Sequence, residues 1–448
     1  MLTAGRGRRT EASRVNPLDV TWLGYFIEVV FLYNCLLFAL SLRRARHRVV
    51  DDAASNESGE VLIVLVVPAH NEELVIAHTL ESLVRLDYAS FLVIVMNDGS
   101  TDRTSEIARS FERTGRVVVV DRDPKIAGRG KGRVLNHAHA HLNEMVGRRD
   151  PLLRGRSADR IVVGIIDADG QLEPDALAHV APFFADQHVG AVQTAVRIAN
   201  ANDGVIPRLQ DIEFIGFTMF AQAARDRLGS VALGGNGQFN RLSALSMLGR
   251  EPWSDCLTED LDIGLRLAEL GWGIRFCRTT FIAQQGVPSV RALIRQRTRW
   301  TQGNYQCLAH IPQLLRAGRA PLRARLDLCI HLLMVGLVLV FLATTAIFVG
   351  AMLGLLTVSN ESLALLPAGP IRNLAFELIA TGPIIWFLIT YQRNAARPLK
   401  WWEIPAYAAF FGFYGYLCAL YSIQAWGRML RGRSGWAKTA RVRAETAV

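Results

Sequence analysis

An α/β, Rossmann-like catalytic domain joined to an α-helical transmembrane region is the architecture that this 448-residue sequence predicts. Three observations predict it. Strand-like and helix-like patterns alternate from Val61 to about Arg316, four apolar blocks reach the length of a bilayer crossing, and acids gather where the strand-like runs end.

Residues 1–50 read as an N-terminal arm with a membrane helix at about 20–42, because Val20 to Leu42 is almost uninterrupted apolar sequence and about 20 residues suffice to cross a bilayer. A signal peptide is the rival reading. No small-residue cleavage site follows, however, and Arg43, Arg44, Arg46 and Arg48 come directly after the block. Glu28 inside it is costly in lipid and is expected to face protein or an aqueous cavity. The polar stretch Asp51 to Glu60 marks a boundary.

Residues 51–320 are expected to form a cytosolic domain with interfacial helices near its end. Four runs, V-L-I-V-L-V-V-P-A, F-L-V-I-V-M-N-D-G-S, R-V-V-V-V-D and R-I-V-V-G-I-I-D-A-D, alternate with helical patterns. That order argues for βαβ units and a largely parallel sheet covered on both faces. Ile76, Leu80, Leu83 and Val84 recur at helical spacing and belong to the core.

Leu326 to Leu356, Leu374 to Tyr391 and Trp401 to Trp426 are three candidate spans within 321–426, making four with the first. Residues 427–448 form a basic tail. Arg316, Arg319, Arg323 and Arg325 precede the second span, whereas Ser359 to Pro370 carries no Lys or Arg, which puts the catalytic domain on the cytoplasmic side of a multi-pass cell-membrane protein. The tail disagrees. Strict alternation would place Arg428, Arg431 and Arg433 outside, so either the charge rule fails at this end or one block is interfacial or re-entrant.

Hydrophobic residues make up 50% of the chain, and the net charge of +10 comes from Arg clusters beside the apolar blocks. That placement suits a lipid bilayer with anionic headgroups and gives no nucleic-acid signature. The six cysteines form no C-x-x-C pair and are expected to be free thiols in a reducing compartment.

The run Val162 to Gly170, V-V-G-I-I-D-A-D-G, reads as a buried strand delivering Asp167 and Asp169 to the sheet rim. Oxygen-rich carboxylate sites favour Mg²⁺ or Mn²⁺ shared with a substrate diphosphate. Asp and Gly are also ordinary turn residues. Pro68-Ala-His-Asn-Glu72 and Asn97-Asp-Gly-Ser-Thr-Asp102 end two other strands, so Glu72 and Asp98 are candidates for nucleoside recognition, while Ser100 or Thr101 offers a helix N-cap. Gly128-Arg-Gly-Lys-Gly-Arg133 lacks the Walker A spacing, yet Lys131 offers a point charge to a phosphate. A flexible basic loop fits that stretch equally well.

Gly234-Gly-Asn-Gly-Gln-Phe-Asn-Arg241 reads as a glycine-rich turn, and Gly237 allows backbone to approach a sugar ring. Cys256 to Asp262 opens an amphipathic helix through Leu265, Leu267 and Leu270. Thr258 is its expected N-cap, with Glu259 and Asp260 in the first turn. Asp260 beside an acceptor hydroxyl would act as general base. In Arg295 to Gly303, Gln296, Arg299 and Gly303 share a helix face, where Arg299 is suited to clamp a diphosphate and Trp300 to stack on a sugar. A basic amphipathic helix on the membrane surface is the alternative.

These clusters resemble, in order and spacing, the motifs of membrane-integrated family 2 glycosyltransferases, the group that contains cellulose, hyaluronan, chitin-oligosaccharide and poly-N-acetylglucosamine synthases. The marks are P-A-H-N-E, D-G-S-T-D, D-A-D, T-E-D and Q-R-T-R-W, between Val61 and Gly303. The resemblance implies a GT-A fold, a UDP-sugar donor taken from the cytosol and inversion at the anomeric carbon. It implies that Asp98 contacts uridine, that Asp167 and Asp169 hold the diphosphate and its Mg²⁺ or Mn²⁺, and that Asp260 is the base. Gln296, Arg299 and Trp300 then hold the diphosphate and frame an acceptor site to which Glu259 and Gly237 also belong. The expected product is a growing polysaccharide or oligosaccharide extended with glucose or N-acetylglucosamine. G-G-N-G-Q-F-N-R and R-W-T-Q-G-N-Y-Q also resemble bacterial glucosyltransferases that modify diacylglycerol, so a lipid acceptor is the alternative. A homo-oligomeric state is left open.

Overall fold

The computed structural model describes residues 18–19, 21–42, 61–334, 384–432 and a few positions between 346 and 382. The boundary expected at 51–60, most of the second and third expected spans, and the tail beyond 432 lie outside the described residues. The chain divides into two compact units, Met1–Cys35 with Leu337–Pro383, and Leu36–Gly336 with Ile384–Val448. The described part of the first unit holds the start of helix α1 (Thr21–Leu42) and a short parallel ladder of Leu18–Asp19 on Val358–Ser359. Asp19 accepts a hydrogen bond from the Thr21 amide at 2.9 Å and so caps α1.

The second unit is built on an eight-stranded sheet: β1 (Leu62–Ala69), β2 (Phe91–Asn97), β3 (Val117–Asp121), β4 (Ile161–Ile165), β5 (Gln171–Leu172), β6 (Val189–Ile198), β7 (Gln238–Arg241) and β8 (Gly273–Gln284). Its order is β3-β2-β1-β4-β7-β6-β8-β5. The first four are parallel, in the four runs that the alternation predicts. Successive side chains of β1 enter opposite cores, as strand geometry requires. Ile63, Leu65 and Val67 pack with Ile76, Leu80 and Leu83 of α2 (Ile76–Val84), against which Val84 also leans. Leu62, Val64 and Val66 pack with Val134, Leu135, Ala138 and Leu142 of α3 (Lys131–Gly147). Each such fully buried side chain contributes about 1.5–3 kcal/mol.

The largely parallel sheet holds only for its first half. β7 runs antiparallel to both β4 and β6, and β5 runs antiparallel to β8, so the sheet is mixed. The reason lies in the stretch expected to be a turn: its second half, Gln238–Arg241, is fully buried strand. The sheet order reverses between β1 and β4, and ligands bind at the carboxyl ends flanking such a reversal.

Five further helices position the site: α4 (Val205–Gly216), α5 (Glu259–Glu269), α6 (Val290–Cys307), α7 (Leu322–Met334) and α8 (Ile404–Leu430). A π-helical turn, Phe217–Gln222, continues α4. Asp327 of α7 is buried in an ion pair with Arg225 at 3.2 Å and accepts from Ser230 at 2.7 Å, which fastens α7 to the sheet unit. Among the described residues two helices, within α1 and at α8, are long and apolar enough to cross a membrane. The 27 residues of α8 rise about 40 Å.

Candidate active site

A cavity of about 400 Å³ opens at the carboxyl ends of β1, β2 and β4. Lining it are Glu72, Asp98, Lys131, Asp167 and Asp169 on one side, and Glu259, Asp260, Gln296, Arg299 and Trp300 on the other. Residues almost 230 positions apart therefore share one space.

β4 stops just before Asp167, whose carbonyl closes a tight turn by accepting from the Gly170 amide at 2.7 Å. Thr79 of α2 donates to the Ala168 carbonyl at 2.6 Å and steadies that turn. Asp169 is buried and accepts from the Gln285 amide at 3.0 Å. Lys131, the first residue of α3, reaches Asp167 at 2.5 Å and the Gly235 carbonyl at 3.4 Å. Burial opposes the lysine's charge, but Asp167, Glu259 and Asp260 outweigh it, so its pKa lies above the ordinary value.

Asp98 is buried against Arg122 in an ion pair and accepts from the Gly128 amide at 3.0 Å, while its carbonyl accepts from His70 Nδ1 at 2.6 Å. It thus holds the 123–130 loop in place. A carboxylate has about four lone-pair sites, which leaves acceptor capacity toward the cavity. Neither Ser100 nor Thr101 caps the next helix. Arg103 holds the N-cap position without a side-chain cap bond, while Asp102 accepts from the Thr104 amide at 3.0 Å and Ser100 and Thr101 are drawn to Asn71.

Glu259 and Asp260 form the first turn of α5. Burial and the neighbouring Asp260 push Glu259 up to about 7, while Lys131 pulls it back. Burial also raises Asp260, against Lys131 and the Leu261 amide. Thr258 occupies the N-cap position without a side-chain cap bond. Its hydroxyl faces Cys256 and Cys307, at 3.6 and 3.7 Å. Gly235 has φ +75°, and a Cβ there would meet Asp260 Oδ2 at 2.7 Å, so only glycine fits beside that carboxylate.

On α6, Gln296, Arg299 and Trp300 line the cavity, but Gly303 does not share their role. A Cβ on Gly303 would meet the Thr258 amide at 2.5 Å; its absence lets α6 press on the start of α5. Trp300 carries the Arg297 guanidinium over its ring at 4.3 Å and meets Phe214 edge-on at 6.3 Å, so part of its surface is already covered. Arg297 is fixed in turn by Glu213 at 2.8 Å. Gly237 is the one expected site residue absent from the lining: at φ +68° it faces inward, where a Cβ would collide with Thr194 and Ile282.

Motif spacing missed several contributors. Asn236 accepts from the Asp167 amide at 3.0 Å and donates to Gln284 at 2.9 Å. Gln193 of β6 receives the Gly234 amide at 2.8 Å and donates to the Asn236 carbonyl at 2.9 Å, pinning the glycine loop. A polar residue inside the apolar run V-G-A-V-Q-T-A-V was its visible signal. Among the described residues no three His, Cys, Asp or Glu side chains converge as a metal cage. Two carboxylates on one turn do fit Mg²⁺ or Mn²⁺, which take one or two protein carboxylates and complete their shell with substrate phosphates and water.

Residues 61–303 match the family described as Glycosyltransferase like family 2. A β-monoglucosyldiacylglycerol synthase of Nostoc sp. is 32% identical over 279 residues, covering 60% of this chain and 55% of the relative. The chain thus matches about half the length of that relative. A poly-β-1,6-N-acetyl-D-glucosamine synthase of Staphylococcus epidermidis is 24% identical over 294 residues, covering 65% of this chain and 64% of the relative. In fold, a Pyrobaculum calidifontis mannosyltransferase solved with GDP-Man and Mn²⁺ superposes with a TM-score of 0.56 at 18% identity, covering 90% of this chain and 98% of that one.

Proposed function

Because the chain belongs to the glycosyltransferase like family 2, we propose that it is a membrane-bound, inverting enzyme moving one glucose from UDP-glucose to the hydroxyl of diacylglycerol or a related lipid. The observation that supports transfer is the shared cavity: two raised acids, Glu259 and Asp260, open onto the same 400 Å³ as Asp167, Asp169, Lys131 and Arg299. A lipid acceptor, which the sequence ranks second to a polymer, is favoured by two things. The cavity has an apolar wall of Phe214, Phe217, Leu257 and Leu261, and the diacylglycerol-acting relative shares 32% identity. A growing polysaccharide, with glucose or N-acetylglucosamine as donor sugar, is the second reading, favoured by the Staphylococcus relative.

In this reading Asp260 takes the proton of the acceptor hydroxyl as that oxygen attacks C1, while the bond from C1 to the diphosphate oxygen breaks and the configuration inverts. Arg299 and Lys131 stabilise the charge that grows on the departing UDP. Mg²⁺ or Mn²⁺ held by Asp167 and Asp169 would draw further charge from the diphosphate. Asp98 and Glu72 stand at the nucleoside end, Gln296 beside the diphosphate, and Glu259 and Trp300 beside the acceptor. Helices α1 and α8 embed in the bilayer with the sheet unit on the cytosolic side.

The test is to supply purified protein with UDP-[¹⁴C]glucose and either diacylglycerol or a β-linked oligosaccharide. Label in the organic phase, one sugar per lipid, is expected, and Asp260→Asn should lower its rate by about 10²–10⁴-fold. Label confined to a water-soluble polymer overturns the lipid acceptor, and an undiminished Asp260→Asn overturns the base.

A further inference from the structure

Helix α6 has a second working face, turned away from the sugar cavity. There Arg291 and Arg295, one helical turn apart, stand across a groove of about 880 Å³ from Arg428 and Arg431 at the end of α8. Neither α6 nor α8 contains an Asp or Glu, and among the described residues no acid lines the groove, so Arg291, Arg295 and Arg431 bring three permanent positive charges together beside Arg428, which Gln302 already holds. Between the charges the walls are apolar, at Ile294 and Ile423. Ile423 is 57% exposed, and the apolar surface continues along α8 through Leu420 and Phe413.

The groove is a built feature. Thr298 donates to Gln424 at 3.2 Å, Tyr305 packs on Trp426 with ring centroids 5.3 Å apart, and Arg428 donates to Gln302 at 2.9 Å. Gln302 is buried, so Arg428 is oriented from beneath. An occupant of this site must be anionic at one end and apolar at the other. It must also lie where α8 leaves the hydrocarbon, since juxtamembrane arginines gain energy at an anionic leaflet.

We infer that the groove between α6 and α8 binds the headgroup of an anionic phospholipid, with an acyl chain along Ile423 and Leu420. The inference rests on α8 lying in the bilayer, as proposed above, and is independent of the sugar chemistry. Because α6 also carries Gln296, Arg299 and Trp300, the bound lipid braces the helix that faces the donor.

The full chain is placed in nanodiscs of phosphatidylcholine with one quarter phosphatidylglycerol, and the lipid that stays bound on release is identified by native mass spectrometry. Wild-type protein is expected to retain phosphatidylglycerol selectively. Arg291→Gln/Arg295→Gln/Arg431→Gln should lose that selectivity by tenfold or more, since each arginine is worth roughly fivefold. Its melting temperature in pure phosphatidylcholine discs should match wild type; the single Arg431→Gln, at the exposed helix end, gives a smaller loss and serves if the triple variant does not fold. Equal retention of the two lipids by wild type, or unchanged selectivity in the variants, overturns the site. Inorganic phosphate displacing the lipid at millimolar concentration overturns the lipid assignment in favour of a simple anion. Protein that stays soluble and takes up no lipid overturns the groove together with the membrane reading, while sugar transfer, assayed separately, stands or falls by itself.

Discussion

Asp260 sits where its charge is expensive, since burial raises it against the pull of Lys131. Glu259 beside it lies at about 7, raised by burial and by the charge of Asp260. For a base that must be ionised, rate follows the charged fraction, so the acid limb of kcat/KM should lie above the ordinary carboxylate range. Asp260→Asn removes the like charge that helps raise Glu259, so Glu259 should titrate below about 7 in that variant, read by carboxyl NMR. A Glu259 titration that stays in place shows that the two carboxyls do not interact. The acids themselves were readable in the sequence, because carboxylates at strand ends and in a first helical turn announce themselves by position. Their partners were not. The link from Lys131 to Asp167 and the guanidinium of Arg297 over Trp300 join residues by contact across the cavity, or by rotamer, and no spacing records that.

Two features decide whether α5 holds its first turn at the cavity. One is the close approach of α6 at Gly303. Gly303→Ala would gain up to about 1 kcal/mol in helix propensity, but its methyl meets the Thr258 backbone at 2.5 Å, and overpacking of that kind costs about 1–3 kcal/mol. The clash wins, so the variant should melt lower and turn over more slowly; a higher melting temperature would show that α6 does not press there. The other is His310, which donates to Asp262 at 2.9 Å and Glu269 at 2.8 Å and is thereby raised to about 9. A histidine raised on folding stabilises fully below its unfolded value near 6.5 and loses that contribution as pH climbs through about 9. His310→Gln should therefore cost about 2–3 kcal/mol at pH 6 and little above pH 10, in urea melts at both pH values. Elements with a strong period were legible, including β1 to β4 and α2. β7 was not, because Gln-Phe-Asn-Arg following three glycines carries the composition of a turn, and only the gap between β4 and β6 makes it a strand.

At the scale of the molecule, donor and metal should act as one ligand. UDP with Mn²⁺ is expected to raise the melting temperature of the detergent-solubilised protein, by about 2.7 kcal/mol of stability at a hundredfold excess over Kd, and Asp169→Asn should abolish the Mn²⁺-dependent part. Stabilisation by UDP that ignores Mn²⁺ in both proteins would remove the cation from the D-A-D turn. Block lengths did mark apolar helices: among the described residues the two long and apolar enough to cross a membrane, within α1 and at α8, fall on the first and last of the four blocks read as spans.

The late arrival of β7 has a consequence during synthesis. β1, which precedes β4 in the chain, covers one of its edges, but its other edge is covered only by a strand some seventy residues downstream. At about 5–20 residues per second the backbone of Ile161–Ile165 stays uncovered for several seconds, a sticky ribbon on a ribosome-bound chain. Nascent copies on neighbouring ribosomes could stitch together along it, so the yield of this protein in cells depends on how fast translation delivers Gln238–Arg241, or on a chaperone that shields the edge until then.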